Sequence, residues 1–169
     1  MKPILRHTAK CSSGLFLLTL VLGTFVQAQE VSTSQILTLE VRELNKISVS
    51  NNAVTLTVDQ ASLESGSPVP AVNSDGLLFW MTNGESKKIT VATNNPAPRF
   101  LLKVVAEEVA NGSGVSAPEV VFNDNSTKDL VLGVSKTSGR CRVRLTASAT
   151  ISDGIGREIH IITYTITGG

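Results

Sequence analysis

Cysteine, histidine and aromatic side chains are scarce in this chain of 169 residues: two cysteines, two histidines, and 4% Phe, Trp and Tyr together. Each scarcity excludes something. Cys11 and His7 lie in an N-terminal region with the marks of a removable leader, so the remaining chain holds one thiol, Cys141, and one imidazole, His160. No intramolecular disulfide is then possible, and core burial must stabilise the fold without covalent help. A nucleophile–histidine pair also lacks its sequence signature, since no Gly-x-Ser-x-Gly elbow exists. Apolar residues at helical spacing are absent beyond the N-terminal region.

Charge is equally uninformative of a partner. The 15 basic and 14 acidic residues nearly cancel. Without Lys2, Arg6 and Lys10 the balance is slightly acidic, which argues against a nucleic-acid binder.

What is present begins with residues 1–28. A basic start, an apolar run from Gly14 to Val26 and the small-residue sequence Val26-Gln27-Ala28 read as a secretory signal peptide cleaved before Gln29. The run is short for a membrane span of about 20 residues. Cys11 precedes it and so is misplaced for lipid attachment. The expected product is an exported chain with no permanent membrane anchor, in the periplasm, at the cell surface or outside the cell. Residues 29–169 are expected to form one domain.

Its pattern is that of an all-β protein. Arg140 to Thr150 alternates strictly, with Cys141, Val143 and Leu145 on one face and Arg140, Arg142 and Arg144 on the other. Ile162 to Thr167 alternates again, and Ser152-Asp153-Gly154-Ile155-Gly156 lies between. An antiparallel hairpin is expected, with Leu145 opposite Tyr164 and Val143 opposite Ile166. Ile159 and Ile161 fall on the wrong parity. A β-bulge is the preferred explanation, and a strand passing from one sheet to another is the alternative.

Earlier in the chain, Gln35 to Val41 places Leu37, Leu39 and Val41 on one face. Lys46–Ser50 and Ala53–Asp59 flank Asn51-Asn52, a two-residue hairpin signal. Residues 61–76 read as a long loop, taken as a crossing between sheets. Leu77–Thr82, Lys87–Thr93, Phe100–Glu107, Glu119–Asn123 and Asp129–Val134 complete a set of roughly ten short strands. This predicts a single antiparallel β-sandwich, Ig-like in general architecture.

The stretch Thr82-Asn83-Gly84 to Lys87-Lys88-Ile89-Thr90-Val91, with the ending Thr163-Tyr164-Thr165-Ile166-Thr167, resembles short secreted bacterial β-proteins, mostly uncharacterised. The resemblance implies a bacterial envelope or extracellular setting. It carries no functional residue.

Candidate sites follow from chemistry. Arg140, Arg142 and Arg144 share one face, their stems about 7 Å apart, and could grip a polyanion or a carboxylate-bearing partner. Pairing with neighbouring acids is the simpler alternative. Phe79 and Trp80 point to opposite faces, so Trp80 is either covered or marks a contact for a partner chain or a sugar. Asn123 to Asp129 collects oxygen donors without the spacing of a calcium loop. Asp75 and Asp153 are lone loop carboxylates. Cys141 reads as a small core residue and His160 as a structural one. Neither an enzyme nor a bound cofactor or metal is expected.

Two functions fit such a chain. One is a structural or assembly protein of the cell surface or matrix, pairing with itself or another envelope protein through sheet edges, with Leu37, Leu39 and Val41 on the candidate donor strand; ordinary pairing of that segment within its own chain is the simpler alternative. The other is a secreted binding module for a glycan, a polyanion or a partner protein, using Trp80 or the arginines.

Overall fold

The computed structural model describes residues 32–169, so the leader region 1–28 lies outside the described residues. In chain order the strands are β1 (Asn45–Val49), β2 (Ala61–Ser62), β3 (Ser67–Pro68), β4 (Ala71–Thr82), β5 (Lys87–Thr93), β6 (Leu101–Ala110), β7 (Val115–Ser116), β8 (Val120–Phe122), β9 (Lys128–Val134), β10 (Thr137–Ser148) and β11 (Ile162–Gly168). The chain is all-β. Its strand pairs are antiparallel, and among the described residues the only helical turn is a 3-10 turn at Ile151–Asp153.

Residues Glu40–Gly169 form one compact unit. It contains a five-stranded sheet of order β1-β4-β10-β6-β8, a four-stranded sheet of order β11-β5-β9-β7, and the small β2-β3 pair. The alternation seen in the sequence sorts residues to the two sides of each sheet. Leu78, Val104, Phe122 and Cys141 from the larger sheet meet Ile89, Val91, Leu130 and Val134 from the smaller in one core, all essentially inaccessible. Burial of each large apolar side chain contributes about 1.5–3 kcal/mol.

That core is unevenly closed. Ile47 and Val49 on β1, Leu145 and Ala147 on β10, and Ile162, Tyr164 and Ile166 on β11 pack against it yet stay half-buried. β1 and β11 are edge strands of their respective sheets.

The expected C-terminal hairpin does not form. β10 is a central strand between β4 and β6, whereas β11 belongs to the other sheet, with Tyr164 opposite Val91 and Ile166 opposite Ile89. The parity slip at Ile159 and Ile161 therefore marks a sheet change and not a bulge within a hairpin. Both isoleucines are exposed and precede the ladder, which starts at Ile162.

Asn51-Asn52 does not close a hairpin either. β1 pairs with β4, and the Ser50 amide continues that ladder by donating to the Leu77 carbonyl at 2.8 Å. Residues 53–59 carry no strand assignment, although Val54, Leu56 and Val58 are half-buried and Leu56 packs against the core. Residues 61–76 are not one loop: β2 and β3 form a small hairpin there, and β4 already begins at Ala71.

Candidate functional site

The three arginines of β10 sit on the outer side of the larger sheet, as their parity requires. A bulge in β6 decides what two of them meet. The β10–β6 register shifts between Arg140 and Arg142, and Glu108, with φ +52°, lies at the irregularity. The extra residue brings Glu107 and Glu108 both within reach of β10. Arg144 Nε donates to Glu107 at 2.6 Å, and Arg142 Nε donates to Glu108 at 3.1 Å. Arg142 Nη1 also donates to the Ser74 carbonyl at 3.1 Å, beside a second irregularity where β4 pairs with β10. The hydrogen bond to Glu107 raises the Arg144 pKa further. Two rungs of the ladder are thus internally paired.

Arg140 differs. It is exposed and has no ion pair among the described residues. With Lys46, Ser48, Phe79, Met81 and Ser138 it borders a shallow depression of about 480 Å³ on the outer sheet face.

Trp80 is 3% exposed and belongs to the core, so it offers no surface to a sugar or partner; Phe79, 38% exposed, takes the outer side. The indole lies against Gly139, its cross-strand partner, where an added Cβ would come within 2.5 Å of the ring. Only glycine leaves room there. Trp80 Nε1 is buried with no hydrogen-bond partner among the described residues.

Cys141 is fully buried opposite Leu78, and burial pushes its thiol up to about 11. His160 is tied rather than free: Nδ1 lies 3.0 Å from Thr93 Oγ1 and Nε2 lies 3.4 Å from Glu158. Burial acts to raise the Glu158 pKa, but the Arg99 and Phe100 amides, at 2.7 and 3.1 Å, together with His160, outweigh it and hold the carboxyl low. The cluster pins the chain before β11 to the loop after β5.

In the oxygen-rich turn after β8 the cation is the protein's own. Lys128 Nζ bonds the Val121 carbonyl at 2.8 Å and Asn123 Oδ1, and pairs with Asp124 at 3.3 Å. Among the described residues no group of three or more His, Cys, Asp or Glu is placed to hold a metal ion.

Leu37, Leu39 and Val41 are 86%, 85% and 77% exposed, and residues 32–44 carry no strand assignment. Just after them the chain is held firmly. Asn83 Oδ1 accepts the Leu44 amide at 2.6 Å, the Asn83 amide donates to the Leu44 carbonyl at 3.2 Å, and Asn83 Nδ2 donates to the Arg42 carbonyl at 2.8 Å. Glu43 pairs with Lys87 at 2.7 Å, and that bond, with one from Asn45, lowers its pKa. In the sequence Asn83 stands out only as part of the Thr82-Asn83-Gly84 stretch between two strands. Its role as a clamp depends on Leu44 arriving beside it, a non-local pairing with no local signature.

Comparison with known protein families, with curated proteins and with solved structures found no match. Among the described residues no helix is long and apolar enough to cross a membrane.

Proposed function

We propose that this is an exported, non-enzymatic structural or assembly protein of the bacterial cell surface or extracellular matrix, associating through β-strand edges. The observation that carries the reading is the segment 35–41. Its Leu37, Leu39 and Val41 recur at the period of a strand, yet they are exposed and lie in no ladder. Exposed apolar residues at strand period, with free backbone groups, are what β-augmentation uses: main-chain hydrogen bonds give affinity and alternate side chains fill a groove. The leader-like residues 1–28 and the resemblance to secreted bacterial β-proteins support export. The two sheets with their shared core support an Ig-like sandwich as the scaffold.

The test is size-exclusion chromatography with light scattering on the chain from Gln29, over a wide concentration range. Assembly is expected for the native chain, and a monomer for the Leu37→Asp/Leu39→Asp variant. A native chain that stays monomeric throughout would remove the reading.

A second reading, a secreted binding module, draws on the depression lined by Phe79, Arg140 and Lys46, whose two cations have no ion pair among the described residues. It predicts a persistent monomer whose Tm rises with an acidic glycan or anionic partner.

A further inference from the structure

Resting on the assembly reading, we infer that the free edge of β11 is the acceptor, and that its occupant is segment 35–41 of a second copy of this chain.

The hydrogen-bond phase of β11 identifies the open groups. Asn94 donates to the Ile161 carbonyl, and Gly169 donates to the Ser86 carbonyl. Both are odd-numbered positions of the β11 side in a continuous register with β5. In an antiparallel ladder the bonding alternates, so residues 163, 165 and 167 also bond to β5, while Ile162, Tyr164 and Ile166 direct N–H and C=O to the outer edge. None of these outer-edge groups has a hydrogen-bond partner among the described residues. The same three residues pack half-buried against the core, where β11 lies beside the other edge strand, β1.

Donor and acceptor match in length and period. Segment 35–41 is as long as β11, and its Leu37, Leu39 and Val41 repeat at the spacing of Ile162, Tyr164 and Ile166. A strand added along β11 would hydrogen-bond the open backbone and lay its three apolar side chains beside the half-buried Ile162, Tyr164 and Ile166.

The occupant comes from another copy because Leu37, Leu39 and Val41 are left largely exposed in the single chain. Residues 42–44 are themselves held: Leu44 against Asn83 continues the β1–β4 register by one position, Asn83 Nδ2 holds the Arg42 carbonyl, and Lys87 holds Glu43. A head-to-tail contact of this kind repeats from copy to copy unless the rotation closes a ring.

Amide hydrogen exchange on the chain from Gln29, diluted and concentrated, separates this inference from the reading it rests on. On assembly, the Ile162, Tyr164 and Ile166 amides are expected to slow by about tenfold or more. The Leu37→Asp/Leu39→Asp variant should show no such change. Failure of the native chain to assemble removes the assembly reading itself. Assembly with new protection at β1, β8 or residues 53–59, and none on β11, overturns the acceptor assignment alone. Protection of the three amides already complete in a dilute monomer overturns the second copy as occupant.

Discussion

Asn83 grips both backbone polar groups of Leu44: the side-chain oxygen takes the Leu44 amide at 2.6 Å while the Asn83 backbone amide gives to the Leu44 carbonyl at 3.2 Å. With the bond to the Arg42 carbonyl, one residue holds the backbone from Arg42 to Leu44.

Asn83→Ala is expected to lose two side-chain hydrogen bonds, costing about 1–2 kcal/mol in urea unfolding. Because residues 42–44 are then freed, assembly of the variant should weaken more than its stability does. Asn83→Asp keeps the acceptor for Leu44 and loses the donor to Arg42, so it should fall between the two. Equal assembly by all three chains would show that the anchorage does not direct the segment.

Gly139→Ala places a methyl group within 2.5 Å of the Trp80 ring. Overpacking of this kind costs about 1–3 kcal/mol. Urea denaturation followed by Trp80 fluorescence reads it directly, since this is the only tryptophan. A neutral outcome would mean that the indole does not rest on the β10 backbone.

Alkaline pH should destabilise the fold. Burial raises Cys141 from 9.0 to about 11 and Tyr164 from 10.0 to about 12, the latter with a smaller contribution from Cys141. For groups neutral when protonated and buried, the unfolded chain loses its protons first. Stability is then full below about pH 9 and falls as pH rises through 9 to 12. Native Cys141 should resist thiol reagents at pH 8 and react after unfolding, whereas rapid labelling of the native chain would contradict its burial.

The paired arginines predict weak polyanion binding. At about 0.15 M salt the native chain should pass through a sulfated-polysaccharide column, because Arg142 and Arg144 are held by Glu108 and Glu107. Glu107→Ala/Glu108→Ala releases both cations and should be retained. Retention of the native chain would instead favour the binding-module reading.

Strand identity was legible where a single face is buried. The alternation around Cys141, Val143 and Leu145 marks β10, and Thr-flanked Tyr164 and Ile166 mark β11, because a period of two survives any choice of partner. Partnership was not legible. Parity fits Tyr164 equally to Leu145 or Val91, and proximity in sequence favoured the hairpin that a sheet change replaces. Likewise Val54, Leu56 and Val58 alternate convincingly, yet no ladder forms there. Of the candidate sites, the exposure of Arg140 and the pairing of Arg142 and Arg144 depend on the β6 bulge at Glu108, a backbone irregularity with no residue signature. Trp80 and Phe79 were known to face opposite ways; which faced inward depended on the position of the second sheet.

The most direct measurement is binding of a synthetic peptide spanning residues 32–44 to the Leu37→Asp/Leu39→Asp chain, whose own donor is disabled and whose β11 edge is intact. The account predicts a one-to-one complex that raises Tm and slows exchange at Ile162, Tyr164 and Ile166. Absence of a complex at about millimolar peptide, a free energy of about 4 kcal/mol or less, in a chain whose native form assembles would contradict it.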